Sequence, residues 1–403
     1  MLRARWPAVP IEELCARVTS GGTPSRSNPA YYDGGTIPWI KTGELRGWYV
    51  DEISERITPS AVRESSAKVF PPETVLLAMY GDGKTMGSVG LIRTPAATNQ
   101  ACCAMLADPK KCDPKFLMYS LVYFRPAILK LAISGAQRNL NGKSIKQFSI
   151  GAPPIEVQHR IASILSAYDD LIENNTRRIA ILEEMARRIY EEWFVRFRFP
   201  GHEGVRMVDS ELGLVPEGWR VTRFTDVFDV RYGKGLGTKD LLADGQYPVY
   251  GAGGVIGRYD SFIAEGPTCL ITSRGNGSGT VWRTVEKAFV TNNSFLVYPK
   301  ADFTGLNFGF AELFAGQANV KTVVSGSAQP QLTLDGLAGL QVIAPERAVL
   351  VRFDALVSPM FDLANKLHFV IRNLRTTRDL LLPKLISGEL DLSAVPEPEA
   401  LAA

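Results

Sequence analysis

Apolar residues recur with heptad spacing along one stretch, residues 155–199. Alternating steps of four and three from Ile161 meet Ile161, Leu165, Tyr168, Ile172, Asn175, Ile179, Leu182, Ala186, Ile189 and Trp193. The pattern predicts a long amphipathic helix with a coiled-coil-like seam. Glu173 with Arg177 and Glu183 with Arg187, each four apart, read as charge pairs on its solvated face. Proline and glycine at Phe199-Pro200-Gly201 are expected to end it.

The same spacing returns 192 residues later, through Phe353, Val357, Met360, Ala364, Leu367, Ile371, Leu374, Arg378, Leu381 and Leu385. The offset persists upstream, where Gln137, Leu140, Ile145, Phe148 and Ile150 fall on Gln329, Leu332, Leu337, Leu340 and Val342. The repeating unit is therefore a globular domain followed by a long helix. Its start recurs too, since Trp6, Ile11, Glu13 and Leu14 share the spacing of Trp219, Phe224, Asp226 and Val227. The expected division is a domain over 1–153, a helix over 154–200, a second domain over 201–344, a second helix over 345–391 and a disordered tail over 392–403.

Each domain reads as α+β. In the first, VLLAM, VGLI and ACCAML predict short strands and PKFLMYSLVYFRPAILKLAIS one or two helices, separated by loops long enough to carry function. The second alternates glycine-rich turns with strand-like runs, and its loops answer those of the first in order: SRGNG answers MYGDG, TNN (291–293) answers TNQ (98–100), and SGSAQPQL answers SGAQRNL. The first helix delivers the chain to the second domain, which hands it straight to the second helix, so antiparallel pairing is expected. The fold class is α+β, with two globular domains separated by an antiparallel pair of long coiled-coil helices and an internal pseudo-two-fold repeat. The seam from Ile161 to Trp193 would measure about 50 Å, about one to one and a half turns of B-DNA. Polar seam members Asn175 and Arg378 either fix register, meet another protein or sit at a solvent-accessible point. Pro359 predicts a later start or a kink in the second helix.

Composition is ordinary for two or three globular domains, with 45% hydrophobic and 22% charged residues. Apolar runs are too short for a membrane span, and the first residues lack a signal peptide's apolar stretch, which places the expected site of action in the cytoplasm, away from membranes. Five cysteines without a CxxC pair and three scattered histidines argue for buried free thiols rather than a metal site or disulfides. The net charge is only +3, but residues 1–150 hold 19 basic against 12 acidic side chains while residues 201–344 hold 12 against 14. Tight nucleic-acid binding by the chain alone would call for more positive charge, so partners are expected to share the phosphate contacts.

Catalytic signatures fail on inspection. AMYGDGKT (78–85) and QRNLNGKS (137–144) each lack the first glycine of a P-loop, and GAGGVIG (251–257) is not a dinucleotide fingerprint. No [DN]PP[YF] loop and no clustered His, Cys and carboxylate set is present in the sequence. A non-catalytic binding protein is the better reading. Loops offering Arg, Lys, Asn and Gln beside glycine suit base-edge and phosphate contacts. The DNA-binding candidates in the first domain are Thr23, Lys41, Gly81, Gly83, Lys84, Gln100, Arg138, Asn139, Asn141 and Lys143. In the second they are Lys234, Arg258, Arg274, Asn276, Asn292, Lys321, Gln329 and Gln331. Any one of them taken alone reads better as an ordinary turn or surface residue, and the weight lies on the duplicated set.

At this point the chain resembles the specificity (S) subunits of type I restriction-modification systems. The resemblance rests on SGGTPS (20–25), IPWIKTGEL (37–45), PPIEVQHRIASILSAYDDLIENN, WFVRFRFPG (193–201), LGLVPEGW, YPVYGAGGVIG and LLPKLISGEL (381–390). It implies that each domain recognises half of a bipartite double-stranded DNA target, and that the helix pair acts as a ruler and a dock for two methyltransferase subunits, with nuclease-translocase subunits joining them. It also implies that no cofactor is bound by this chain, S-adenosylmethionine, ATP and magnesium belonging to the partners. Val157-Gln158 and the degenerate APERAVLVRF (344–353) depart from the family's helix starts. Trp193, Phe194 and Phe197 are candidates for the methyltransferase dock, with packing against the second domain as the equal alternative. Rival readings are a coiled-coil scaffold with protein- or glycan-binding end domains, and a specificity module serving a fused methyltransferase-nuclease.

Overall fold

A computed structural model describes residues 6–81, 85–132, 139–300, 303, 305–326, 328–390 and 392. The chain divides into two compact units, residues 1–173 with 372–403 and residues 174–371.

The first unit contains β1 (Ala8–Pro10), α1 (Ile11–Leu14), β2 (Cys15–Ser20), β3 (Ile37–Ile40), β4 (Arg56–Ile57), α2 (Pro59–Glu64), β5 (Val69–Phe70), β6 (Val75–Ala78), β7 (Val89–Leu91), β8 (Ala96–Thr98), β9 (Cys102–Ala107), α3 (Pro114–Leu129), α4 (Gly142–Gln147), β10 (Ser149–Gly151) and the first part of the long helix α5 (Ile155–Tyr190). One sheet has the order β2-β9-β6-β7 and another β4-β3-β8-β5, while β1 pairs with β10. Strand β6, VLLA, is buried at every position, as a continuous apolar run in a central strand requires. Helix α3 starts where Asp113 accepts a hydrogen bond from the Phe116 amide at 2.9 Å and Pro114 occupies the first turn. Its Phe116, Leu117 and Leu121 pack with Val75, Leu77 and Met105 of the sheet and with Ile161 and Leu165 of α5.

The second unit continues α5 and adds β11 (Met207–Ser210), β12 (Gly213–Pro216), β13 (Arg220–Arg223), α6 (Phe224–Val227), β14 (Phe228–Tyr232), β15 (Tyr247–Tyr250), β16 (Val255–Tyr259), β17 (Cys269–Thr272), β18 (Val281–Arg283), β19 (Phe289–Val290), β20 (Ser294–Pro299), α7 (Phe308–Gln317), α8 (Leu334–Gly339), β21 (Gln341–Ala344) and the first part of α9 (Arg347–Ser387). Its sheets run β14-β20-β17-β18 and β16-β15-β19, and β13 pairs with β21. This is the first unit's topology repeated, including the one parallel pair described in each, β3 with β8 and β15 with β19. Its core is more aromatic, with Phe224, Phe228, Phe295, Phe310 and Phe353 all buried.

Within each unit the long helices run antiparallel. In the first, Ile161 and Leu165 near the start of α5 share a core with Leu385 and Ile386 at the end of α9. In the second, Tyr190 at the end of α5 meets Phe353 near the start of α9, ring centroids 5.9 Å apart. Every predicted seam position on both helices is buried or half-buried. The polar members have specific partners: Asn175 accepts from Arg178 at 3.4 Å, and Arg378 pairs with Asp169.

Several local expectations are corrected. Helix α5 stops before Pro200-Gly201. Its last turn, Glu191–Val195, widens to π-helix, the Arg196 amide donates to the Glu191 carbonyl at 2.9 Å, and Phe197 turns the chain with φ of +59°. Helix α9 starts before Pro359 and is unbroken through it, because packing on one face outweighs the hydrogen bond that proline cannot donate. Glu173 and Glu183 are not merely solvated pairs with Arg177 and Arg187. Glu173 accepts from Arg93 at 2.8 Å and from Trp48 at 3.3 Å, whereas Glu183 accepts from Arg283, whose side chain is 8% exposed. Arg187 pairs instead with Glu184 and Glu191. Leu392, expected in the tail, is buried in the first unit's core, and residues 393–403 lie outside the described residues.

Candidate nucleic-acid interface

Four segments converge at the end of β6 and the start of β9 in the first unit, and backbone hydrogen bonds hold them there. The Met79 amide donates to Ala101 at 2.8 Å, the Leu140 amide to Met79 at 3.0 Å, and the Gly22 amide to Thr98 at 2.9 Å. The second unit repeats the arrangement, with Ser273 donating to Asn293 at 2.8 Å, Leu332 to Ser273 at 2.8 Å and Lys234 to Val290 at 3.0 Å. The SGG motif is explained by this junction. A Cβ on Gly21 would lie 2.1 Å from the Thr98 hydroxyl, and one on Gly233 2.2 Å from the Thr291 carbonyl.

These bonds also set the correspondence between the units. Ala101 matches Asn293, so Gln100 matches Asn292, one residue away from the alignment suggested by TNQ and TNN. The shared Thr-Asn pair misled the sequence comparison, whereas strand register follows hydrogen bonding.

In the first unit the junction borders a cleft of about 720 Å³. Gln100, Asn141 and Lys143 line it, with Thr23 alongside, donating its hydroxyl proton to Gln100. Asn141 has a structural duty as well: it caps α4 by accepting from the Ser144 amide at 2.8 Å, as Thr333 caps α8 by accepting from Gly336 at 3.1 Å. Asn139 is half-buried beside Leu140, and Gly81 is exposed next to Tyr80. Gly83, Lys84 and Arg138 lie outside the described residues. Lys41 is set apart, its ammonium 3.0 Å from Glu55, which also takes Arg26 at 2.6 Å. The Arg26 hydrogen bond, helped by Lys41 and opposed by partial burial, holds the Glu55 carboxyl down at about 2.

In the second unit Arg274 and Gln331 are brought together, with Asn276 and Gln329 each two residues along the chain from one of them. Arg274 bridges Gln331 through the backbone, and the Gly275 amide donates to Pro330 at 2.9 Å. Lys321 packs on the same turn, where a Cβ on Gly279 would lie 2.9 Å from its Cγ. Lys234 and Asn292 join through the Asn292 amide and the Lys234 carbonyl, 3.1 Å apart. Arg258 does not join them. Its guanidinium donates to the Gly245 and Gln246 carbonyls, the latter at 2.6 Å, and fastens a turn.

Of the two readings of Trp193, Phe194 and Phe197, the structure displays the packing against the second unit. Phe194 is 7% exposed and packs its ring 4.8 Å from Phe353 and 5.8 Å from Trp219. Trp193 stacks edge-on against Phe353, and Phe197 against Trp219. The cluster forms the second unit's core at the helix end, because large aromatic surface is better buried there than left in water. Two cleft residues escaped the sequence reading, Tyr80 and Lys146. The available signals were an aromatic beside a glycine turn and the i,i+3 spacing of Lys143 and Lys146 on one short helix.

The chain matches the type I restriction modification DNA specificity domain over residues 4–184 and 216–348. It belongs to that family. Among curated relatives it is 29% identical to the type I restriction enzyme MjaIX specificity subunit of Methanocaldococcus jannaschii, covering 96% of this chain and 93% of the relative. It is 23% identical to the EcoprrI specificity subunit of Escherichia coli, over 88% and 89% of the two chains. The fold is similar to that of the crystallised type I restriction-modification S subunit from M. genitalium, with a TM-score of 0.62, 18% identity, and coverage of 96% of this chain and 97% of that one. Two stretches of family domain in one chain agree with the two repeated units. Among the described residues, no helix of this family member is long and apolar enough to cross a membrane.

Proposed function

We propose that this chain is the non-catalytic specificity subunit of a type I restriction-modification complex, each α+β unit reading one half of a bipartite double-stranded DNA target. The observation that carries this is the repeated junction: the same four segments, held by equivalent backbone bonds, present different polar side chains in the two units. Tyr80, Gln100 and Asn139 stand where Arg274, Asn292 and Gln331 stand in the other. A shared scaffold with exchanged tips suits two readers with different base preferences. The helix pair receives two methyltransferase subunits, with nuclease-translocase subunits completing the assembly. S-adenosylmethionine, ATP and magnesium serve those partners, and the complex works in the cytoplasm.

The test is duplex binding by the chain assembled with its methyltransferase, followed by fluorescence anisotropy across a salt series with unrelated DNA as competitor. Preference for one duplex sequence, with affinity falling steeply as salt rises, is expected. Salt-independent binding, or equal affinity for every duplex, would remove the DNA-reading role and favour a protein scaffold.

A further inference from the structure

The cleft of about 720 Å³ in the first unit is lined by two lysines of α4 whose counterparts on α8 are not basic, although the backbone frame is repeated. Val18, Met79 and Cys103 give it an apolar floor, and Lys143 and Lys146 stand on one side, three residues apart on α4. Lys146 acts electrostatically on the Cys103 thiol, opposing the rise that burial causes. Among the described residues neither lysine forms an ion pair, and Glu12 is the one carboxylate on the lining. Tyr80, 40% exposed, and Gln100 complete the opposite rim.

The matching helix in the second unit is α8, and the positions of Lys143 and Lys146 hold Asp335 and Ala338. Arg231, at the position of Thr19, is engaged with Asp229. The excess of basic residues over 1–150 and its absence over 201–344 follow the same division.

We infer that the first unit's cleft is a phosphodiester-anchoring site, in which Lys143 and Lys146 hold the DNA backbone from a helix whose counterpart in the second unit, α8, carries no lysine at the matching positions. The inference rests on the DNA-reading role proposed above and adds an asymmetry to it: α4 supplies salt-sensitive affinity at the first half-site that α8 does not supply at the second, where the basic side chains Lys234, Arg274 and Lys321 lie on other segments of the junction. Two lysines lining one concave surface suit the negative charge of a nucleic-acid backbone, and Gln100 and Tyr80 on the same lining then lie within reach of the bases.

The experiment compares the assembled complex carrying wild-type chain, Lys143→Gln/Lys146→Gln, or Asp335→Lys/Ala338→Lys, on a duplex bearing its target. Each phosphate contact contributes about 0.9 to the slope of log affinity against log salt. The lysine removal is expected to flatten that slope by about 1.8 while target preference over competitor DNA persists. The reciprocal variant is expected to steepen it. An unchanged slope in the first variant, with target preference retained, would overturn the anchor and leave the DNA-reading role standing. Loss of any target preference in the wild-type complex would overturn both.

Discussion

Asp169 and Arg378, 209 residues apart in the chain, form an ion pair between the two long helices inside the first unit. The Asp169 side chain is 4% exposed and also accepts the Tyr119 hydroxyl proton at 2.6 Å. Burial pushes its carboxyl up, and Tyr119 and Arg378 oppose that rise. The corresponding seam positions in the second unit are Phe361 and Ala186, both buried and apolar. One repeat therefore closes its seam with charge and the other with an aromatic ring.

Removing Arg378 leaves the buried Asp169 carboxylate without its counter-charge, with the Tyr119 hydroxyl still donating to it. Arg378→Met is expected to cost about 3–5 kcal/mol in urea unfolding, and Asp169→Leu/Arg378→Met to recover most of that loss. Protonated Asp169 suits the emptied site, so the single variant should be least impaired below about pH 4, where the carboxyl is protonated folded or unfolded. The deficit should grow as pH rises toward neutral. An equal deficit at every pH would contradict the role given to this carboxyl.

The second unit's apolar solution depends on a glycine. A Cβ on Gly309 would fall 2.2 Å from a ring carbon of Phe361, so the start of α7 approaches this ring only where it carries no side chain. Gly309→Ala is expected to destabilise the chain by about 1–3 kcal/mol through overpacking, despite alanine's better helix propensity. Thermal unfolding that rises in the variant would contradict this packing.

Glu55 supplies a pH signature away from the recognition junction. Its carboxyl sits at about 2, held there first by the Arg26 hydrogen bond. The stabilisation from this pairing is complete above the ordinary glutamate value of about 4.3 and is lost as pH falls toward about 2. In Arg26→Met the carboxyl should titrate closer to its ordinary value by NMR, since Lys41 alone remains beside it. A titration unchanged by the substitution would assign the depression to Lys41.

The long helices and the duplication were legible because heptad spacing survives in sequence and a repeat at fixed offset needs no geometry. Strands β6, β7 and β9 were legible as short apolar runs between turns. The glutamates on α5 were misread because an i,i+4 pattern cannot reveal that Arg93 or Arg283, far away in the chain, competes for them. Trp193, Phe194 and Phe197 were ambiguous for a related reason: an aromatic cluster at a helix end has the same composition whether it meets a partner or its own domain. Arg258 looked like a reader because the two carbonyls that claim it become neighbours only when β15 and β16 pair. The recognition junction was located by its loops, but its register depended on backbone hydrogen bonds that sequence does not display.

The division of DNA reading between two units is tested most directly by mapping methylated adenines by single-molecule sequencing, after the chain is co-expressed with its methyltransferase. The wild-type chain should yield one bipartite motif with a fixed gap. Gln100→Ala should relax base preference in one half of that motif and Arg274→Ala in the other. If both variants altered the same half, or altered both halves alike, the two units would not be separate readers.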